Sequence, residues 1–311
     1  MDWKKYLSLI GIVVFIYLLI KINIINILSE IKNVNLLLFG VAIFFSIILL
    51  FIQTFKWFYI ARKQMIDIQF WESFKINIIS VFYGFITPSK IGVLIRAEYL
   101  KKYSGNIGKG ISNFTIDKIL DICAVFFLGT LFLVIIGSKI PNFQQSYIFY
   151  LSIICILFVV LLFLIRDKKR IKSILKIFYT RFLPKKMKEK AKITFDSFYE
   201  NMPKKRHLIV GFLLTLVTWI VIYLISFFIG LSLGINLNII YFIAILPIGT
   251  ITSLIPITVN GLGTREAVLI GLFGLFGISS AKVFSMSILA LFVTGVLPSL
   301  VALFIILKNK N

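Results

Sequence analysis

Apolar residues run in blocks of about twenty, the length a helix needs to cross a bilayer, and polar residues gather in short clusters between them. This pattern predicts six crossing helices at residues 6–28, 35–59, 111–136, 146–165, 208–230 and 281–307. Two further apolar segments are too short or too broken to cross. Residues 74–87 stop at Pro88, which has no amide hydrogen to continue a helix, and Ser89 is placed to cap a second half-helix over residues 90–103. Residues 239–255 contain Pro247 and run into Pro256, then Asn260, Gly261 and Gly263, before another short apolar run at residues 267–276. Both stretches are predicted to be re-entrant hairpins, because irregular backbone at membrane depth survives only against protein or a wet cavity.

The two stretches share a local pattern. Ile86, Thr87 and Gly92 align without gaps on Ile257, Thr258 and Gly263, with Ile91 against Leu262. Each stretch follows a predicted span in its own half of the chain, and the charge bias has them enter from opposite sides. The expected fold is therefore an all-α polytopic membrane bundle with two inverted re-entrant helix hairpins, forming a single domain over residues 1–311.

Composition strengthens this picture. Hydrophobic residues make up 59% of the chain and mean hydropathy is +1.01, which leaves no room for a soluble core. The net charge of +22 sits between apolar spans rather than over a polar face with stacking aromatics, so no nucleic-acid partner is expected. Residues 166–206 hold fifteen Lys or Arg against four Asp or Glu, which places that loop in the cytoplasm. Within it Ile171, Ile174, Leu175, Phe178 and Phe182 recur at helical spacing, the pattern of an amphipathic helix on an anionic leaflet. Residues 66–72 look interfacial. The same bias puts both termini inside, and the first span lacks a signal-peptide cleavage site, so it reads as retained. Cys123 and Cys155 lie in apolar helices and predict neither disulfide nor metal; no cofactor is implied, and a homo-oligomer is left open.

Charge inside oil marks the candidate site. Lys90, Arg96, Asp117, Lys118 and Asp121 fall within or beside apolar segments, where each ion costs about 2.5–3.5 kcal/mol by insertion scales unless paired or in a cavity. Asp117 and Asp121 share a helix face, and Lys118 is spaced to pair with Asp121. A network of these acids with Lys90 and Arg96 is expected; snorkelling at headgroup level is the bland alternative. Arg265 and Glu266, as neighbours about 100° apart on a helix, are expected to seek separate partners: a substrate phosphate or nearby carbonyls for Arg265, a cation or Lys118 for Glu266. Ser89, Gly92, Asn260, Gly261 and Gly263 complete the candidate set as half-helix ends that approach an anion. His207 is expected at the interface, and Gly271, Gly274 and Gly277 are expected to make a narrow face for close helix packing.

These residues resemble a family, the transmembrane flippase region of lysylphosphatidylglycerol synthases and its stand-alone relatives. The likeness covers nearly the whole chain. It rests on Pro88-Ser89-Lys90-Ile91-Gly92 with Arg96, on Asp117-Lys118-Ile119-Leu120-Asp121, and on Asn260 through Gly261, Gly263 and Arg265 to Glu266. Family members usually carry Glu-Arg where Asp117 and Lys118 stand here, which changes the hydrogen bonds a headgroup meets. The lysyl-transferring soluble domain of the full-length proteins is not expected here, so no lysyl transfer and no enzyme activity are expected. The resemblance implies translocation between leaflets of an anionic phospholipid, its aminoacyl ester or a polyprenyl-phosphate lipid. A secondary transporter of a small organic anion and a membrane-embedded lipid transferase are the alternatives.

Overall fold

The computed structural model describes residues 3–87, 92–105, 107–136, 202–254 and 261–308. Predicted span 146–165, most of the basic loop, and Ser89, Lys90 and Asn260 lie outside the described residues. Every regular element among them is helical: α1 (Trp3–Ile22), α2 (Ile24–Lys32), α3 (Leu36–Lys63), α4 (Phe70–Ile86), α5 (Ile95–Ser104), α6 (Ile107–Ile136), α7 (Lys205–Ser232), α8 (Ile239–Leu254), α9 (Thr264–Gly274), α10 (Ser280–Leu291) and α11 (Leu297–Lys308). Helices α3 and α7 are 28 residues long, about 42 Å at 1.5 Å per residue, and the joined α10–α11 is as long. These three are long and apolar enough to cross a membrane singly. The chain is a polytopic, all-α integral membrane bundle.

The predicted first span is corrected by one residue. Asn23 adopts φ 69°, a conformation asparagine tolerates, and its side chain accepts the Ile25 amide at 3.1 Å, so α2 starts afresh. Helices α1 and α2 therefore meet at a 76° bend instead of forming one straight helix to Leu28. Residues Ile66 and Ile68, expected at the interface, are buried with Trp57, Ala61, Ile76 and Leu100. In the last span Pro298 has no amide to donate and crowds the turn before it; the ladder widens there into a π turn at Phe292–Val296 between α10 and α11.

Both broken stretches are present, with shifted ends. Helix α4 is 17 residues and stops at Ile86, and Thr87 is extended (ψ 143°), as a residue before proline prefers. The second half-helix begins at Ile95, five residues later than residue 90, because a 3₁₀ turn over residues 92–94 comes first. Thr87 closes this break, its hydroxyl donating to Tyr83 O and accepting the Gly92 amide, both at 2.7 Å. A side chain at Gly92 has no room, since a Cβ there falls 2.1 Å from Tyr83 O. In the second stretch α8 carries Pro247 within it, and α9 starts at Thr264, three residues before the predicted start. The early start follows from capping, as the Glu266 carboxylate turns back to accept the Gly263 amide at 2.6 Å.

Packing is reciprocal between the halves. Helix α4 lies on α11 of the second half, while α8 lies on α6 of the first; α3 and α7 pack on each other, and α5 on α6 is matched by α9 on α10. Exchange of this kind is what a pair of structural repeats produces. It also brings the two breaks towards one region.

Candidate functional site

Three helices deliver the charged cluster of the first half. Lys56 from the cytoplasm-predicted end of α3 lies 2.7 Å from Asp117 Oδ1 and 2.7 Å from Asp121 Oδ1, both on α6. The Asp121 contact has hydrogen-bond geometry; the Asp117 contact is an ion pair whose angles fall outside it. Lys118 closes on Asp121 Oδ2 at 2.9 Å. From α5, Arg96 donates through Nε to Ser80 at 2.7 Å and through its two terminal nitrogens to Asp117 Oδ2 at 3.1 Å and Asn77 Oδ1 at 2.5 Å. Its guanidinium also stacks over the Trp57 ring, 5.5 Å from the centroid. Asp117 is only 2% exposed, so the snorkelling alternative fails for it. A buried ion survives when every partner is supplied, and here the partners close on one another.

The second half holds a smaller cluster. Arg265 donates to Glu266 Oε1 through Nε at 3.1 Å and one terminal nitrogen at 2.9 Å, and that nitrogen also reaches the Ser287 hydroxyl and carbonyl on α10. Ser287 in turn donates to Glu266 Oε1 at 2.6 Å. The expectation that Arg265 and Glu266 seek separate partners is therefore corrected. Their Cα–Cβ bonds do diverge, but the fully buried Glu266 folds back over the helix start and the long arginine follows it. Lys118 is engaged by Asp121 and is not the partner of Glu266.

One cavity of about 260 Å³ joins the clusters. Lys56, Arg96, Asp117, Lys118 and Asp121 line it from the first half, and Thr218, Trp219, Thr250, Ser253, Arg265 and Thr294 from the second. Among the described residues its lining carries four cations against two carboxylates. A smaller cavity of about 70 Å³ continues behind Arg265, between Tyr223, Ser226 and Ser287. The predicted residues Arg96, Asp117, Lys118, Asp121 and Arg265 are thus brought together. Glu266 sits behind Arg265, while Gly92, Gly261 and Gly263 shape the breaks and do not line the cavity. Gly263 holds φ 83°, which only glycine adopts readily.

Comparison with known proteins now adds to this geometry. The family model described as the lysylphosphatidylglycerol synthase TM region matches residues 7–302. The chain belongs to this family. Curated relatives include a UPF0104 membrane protein of Pyrococcus horikoshii, 24% identical over 99% of this chain and 98% of its own length. Another, from Methanocaldococcus jannaschii, is 26% identical over 98% of this chain and 94% of its own. Near-complete coverage in both directions means that the relatives share this membrane domain from end to end.

Family membership fixes the fold class but not the site's chemistry, and sequence reasoning missed several residues that build it. Lys56 lies inside predicted span 35–59, beside Trp57, and belongs to none of the motifs that singled out the other charges. Its depth was the available signal: a lysine seven residues in from the helix end at Lys63. Asn77 and Ser80, spaced three apart on an apolar half-helix, gave a weaker one. Ser287 and Trp219 gave none, since serine and tryptophan are common in membrane helices. The glycine face meets no other segment among the described residues: beyond chain neighbours and the local helix backbone, none of their heavy atoms lies within 4 Å of a Cβ at Gly271, Gly274 or Gly277. His207 does sit at a helix end, with Nδ1 2.9 Å from the Tyr59 hydroxyl.

Proposed function

We propose that the chain is a lipid translocase, moving an anionic or aminoacylated phospholipid or a polyprenyl-phosphate lipid between leaflets of the cytoplasmic membrane, with both termini in the cytoplasm. The observation that carries this reading is the cavity shared by the two broken stretches and lined by an excess of cations. A phosphate dragged through hydrocarbon loses its water at large cost, and preset guanidinium, ammonium and hydroxyl donors replace that water. Arg265 contacts the phosphate, and Arg96, engaged at all three nitrogens, adds its charge to the cavity wall; Asp117, Asp121 and Glu266 hold the cations in place and limit the positive charge. The acyl tails stay in lipid. No bond is made or broken, so the reading assigns this chain transport and not lysyl transfer. The basic loop supplies affinity for the anionic leaflet, about 1 kcal/mol per surface-near Lys or Arg, and is screened by salt.

The cavity's modest volume favours a second reading, in which a small organic anion crosses as a soluble solute. Proteoliposomes separate the two. Leaflet-resolved reduction of NBD-labelled phosphatidylglycerol by dithionite is expected to show protein-dependent movement, with no uptake of labelled organic anion. Uptake of the anion without lipid movement would leave the solute reading in its place.

A further inference from the structure

Among the described residues, both acids that line the cavity, and Glu266 behind Arg265, are already engaged. Asp117 gives one oxygen to Lys56 and the other to Arg96; Asp121 gives one to Lys56 and the other to Lys118; Glu266 gives one to Arg265 and Ser287 and the other to the Gly263 amide. An ammonium entering the cavity finds each of these carboxylate oxygens already beside a cation, a hydroxyl or an amide N–H, and meets the local excess of cations. Donors, by contrast, are left over. Arg265 uses Nε and one terminal nitrogen, and its other terminal nitrogen has no acceptor among the described residues. Trp219 lines the same cavity, and its indole N–H is buried with no acceptor among the described residues. A buried donor without a partner is costly, and an anion in the cavity relieves that cost.

We infer that the cavity selects a phosphate headgroup bearing no cationic group, and that Trp219 donates its indole N–H to that phosphate beside Arg265. The inference rests on the translocase reading and narrows it: of the lipids named above, aminoacylated ones are rejected. Lys56 is what makes the difference. It fills the gap between Asp117 and Asp121 that a substrate amine would otherwise take, so the protein supplies its own ammonium.

The test uses the full chain. In detergent, binding of dihexanoyl phosphatidylglycerol, its lysyl ester and inorganic phosphate is measured by microscale thermophoresis; in proteoliposomes, movement of NBD-phosphatidylglycerol and its lysyl ester is followed. The anionic lipid is expected to bind and move at least about tenfold better than the lysyl ester. Trp219→Phe, which removes the indole N–H while keeping an aromatic ring at the position, is expected to weaken its binding about fivefold in a protein still shown to be folded by its melting transition, and Lys282→Ala to leave binding unchanged. Equal or better handling of the lysyl ester overturns the selectivity while leaving translocation intact. Binding of the anionic lipid over its ester without any lipid movement removes the translocase reading and keeps the selectivity. Inorganic phosphate binding as tightly as the lipid assigns the site to a soluble ion and overturns the headgroup. Unchanged binding by a folded Trp219→Phe protein removes Trp219 from the site, and no binding by any probe overturns the whole proposal.

Discussion

Each half of the molecule places one arginine at the second position of its second half-helix, Arg96 in α5 and Arg265 in α9, and the two are held very differently. Arg96 is bound at all three nitrogens, stacked on Trp57 and 8% exposed, within a five-residue network of three cations and two acids. Arg265 is bound along one edge by its own neighbour and by Ser287, is 20% exposed, and keeps one terminal nitrogen for the cavity. The two matched positions therefore form a locked side and an open side. Position in a motif does not fix a charge's role; the number of partners left to it does.

The locked side predicts the largest effects. Asp117→Ala leaves Lys56 and Arg96 each short of a carboxylate, and breaking a buried ion pair from one side costs about 3–5 kcal/mol. The melting temperature in detergent is expected to collapse, and a near-normal value would show that the cluster is not a stabilising node. Lys56→Met is expected to be milder, because Asp117 keeps Arg96 and Asp121 keeps Lys118. Arg265→Ala, on the open side, is expected to slow lipid movement about ten- to a hundredfold through loss of a charge-assisted contact of about 1.5–3 kcal/mol, with only a small change in melting temperature. Arg265→Lys is expected to restore little, since an ammonium lacks the planar paired donors of a guanidinium. Gly263→Ala tests the geometry that aims Arg265: its positive φ makes a side chain strained by about 1–3 kcal/mol, and both stability and transport are expected to fall. At the small end, Asp67→Ala removes only the exposed partner of Arg62 and is expected to leave melting temperature and transport unchanged.

The legible part of this molecule was its hydrophobic pattern. Helix positions, both breaks and the Lys118–Asp121 pair followed from run length, proline and three-residue spacing, because these are local properties. Two errors came from backbone freedom that few residues signal: Asn23 turned a predicted straight span through a sharp bend, and the 3₁₀ turn after Gly92 delayed α5. The remaining errors were long-range. Lys56 and Asp121 are 65 residues apart, and nothing near either one announces the other. Glu266 was misread for a subtler reason, since the 100° rule describes where side chains leave the helix and not where a long carboxylate ends when a cap draws it back. Residues of the open side, Trp219 and Ser287 above all, became candidates only once the cavity was seen to cross the two halves.

The most direct test of a translocation site shared by the two breaks is leaflet-resolved movement of NBD-phosphatidylglycerol in matched proteoliposomes holding the unaltered chain, Arg265→Ala or Lys282→Ala. Each protein is first shown by its melting temperature to be folded and equally reconstituted. The account predicts rapid movement for the unaltered chain and for Lys282→Ala, with at least about a tenfold loss for Arg265→Ala. Equal rates in all three would contradict it.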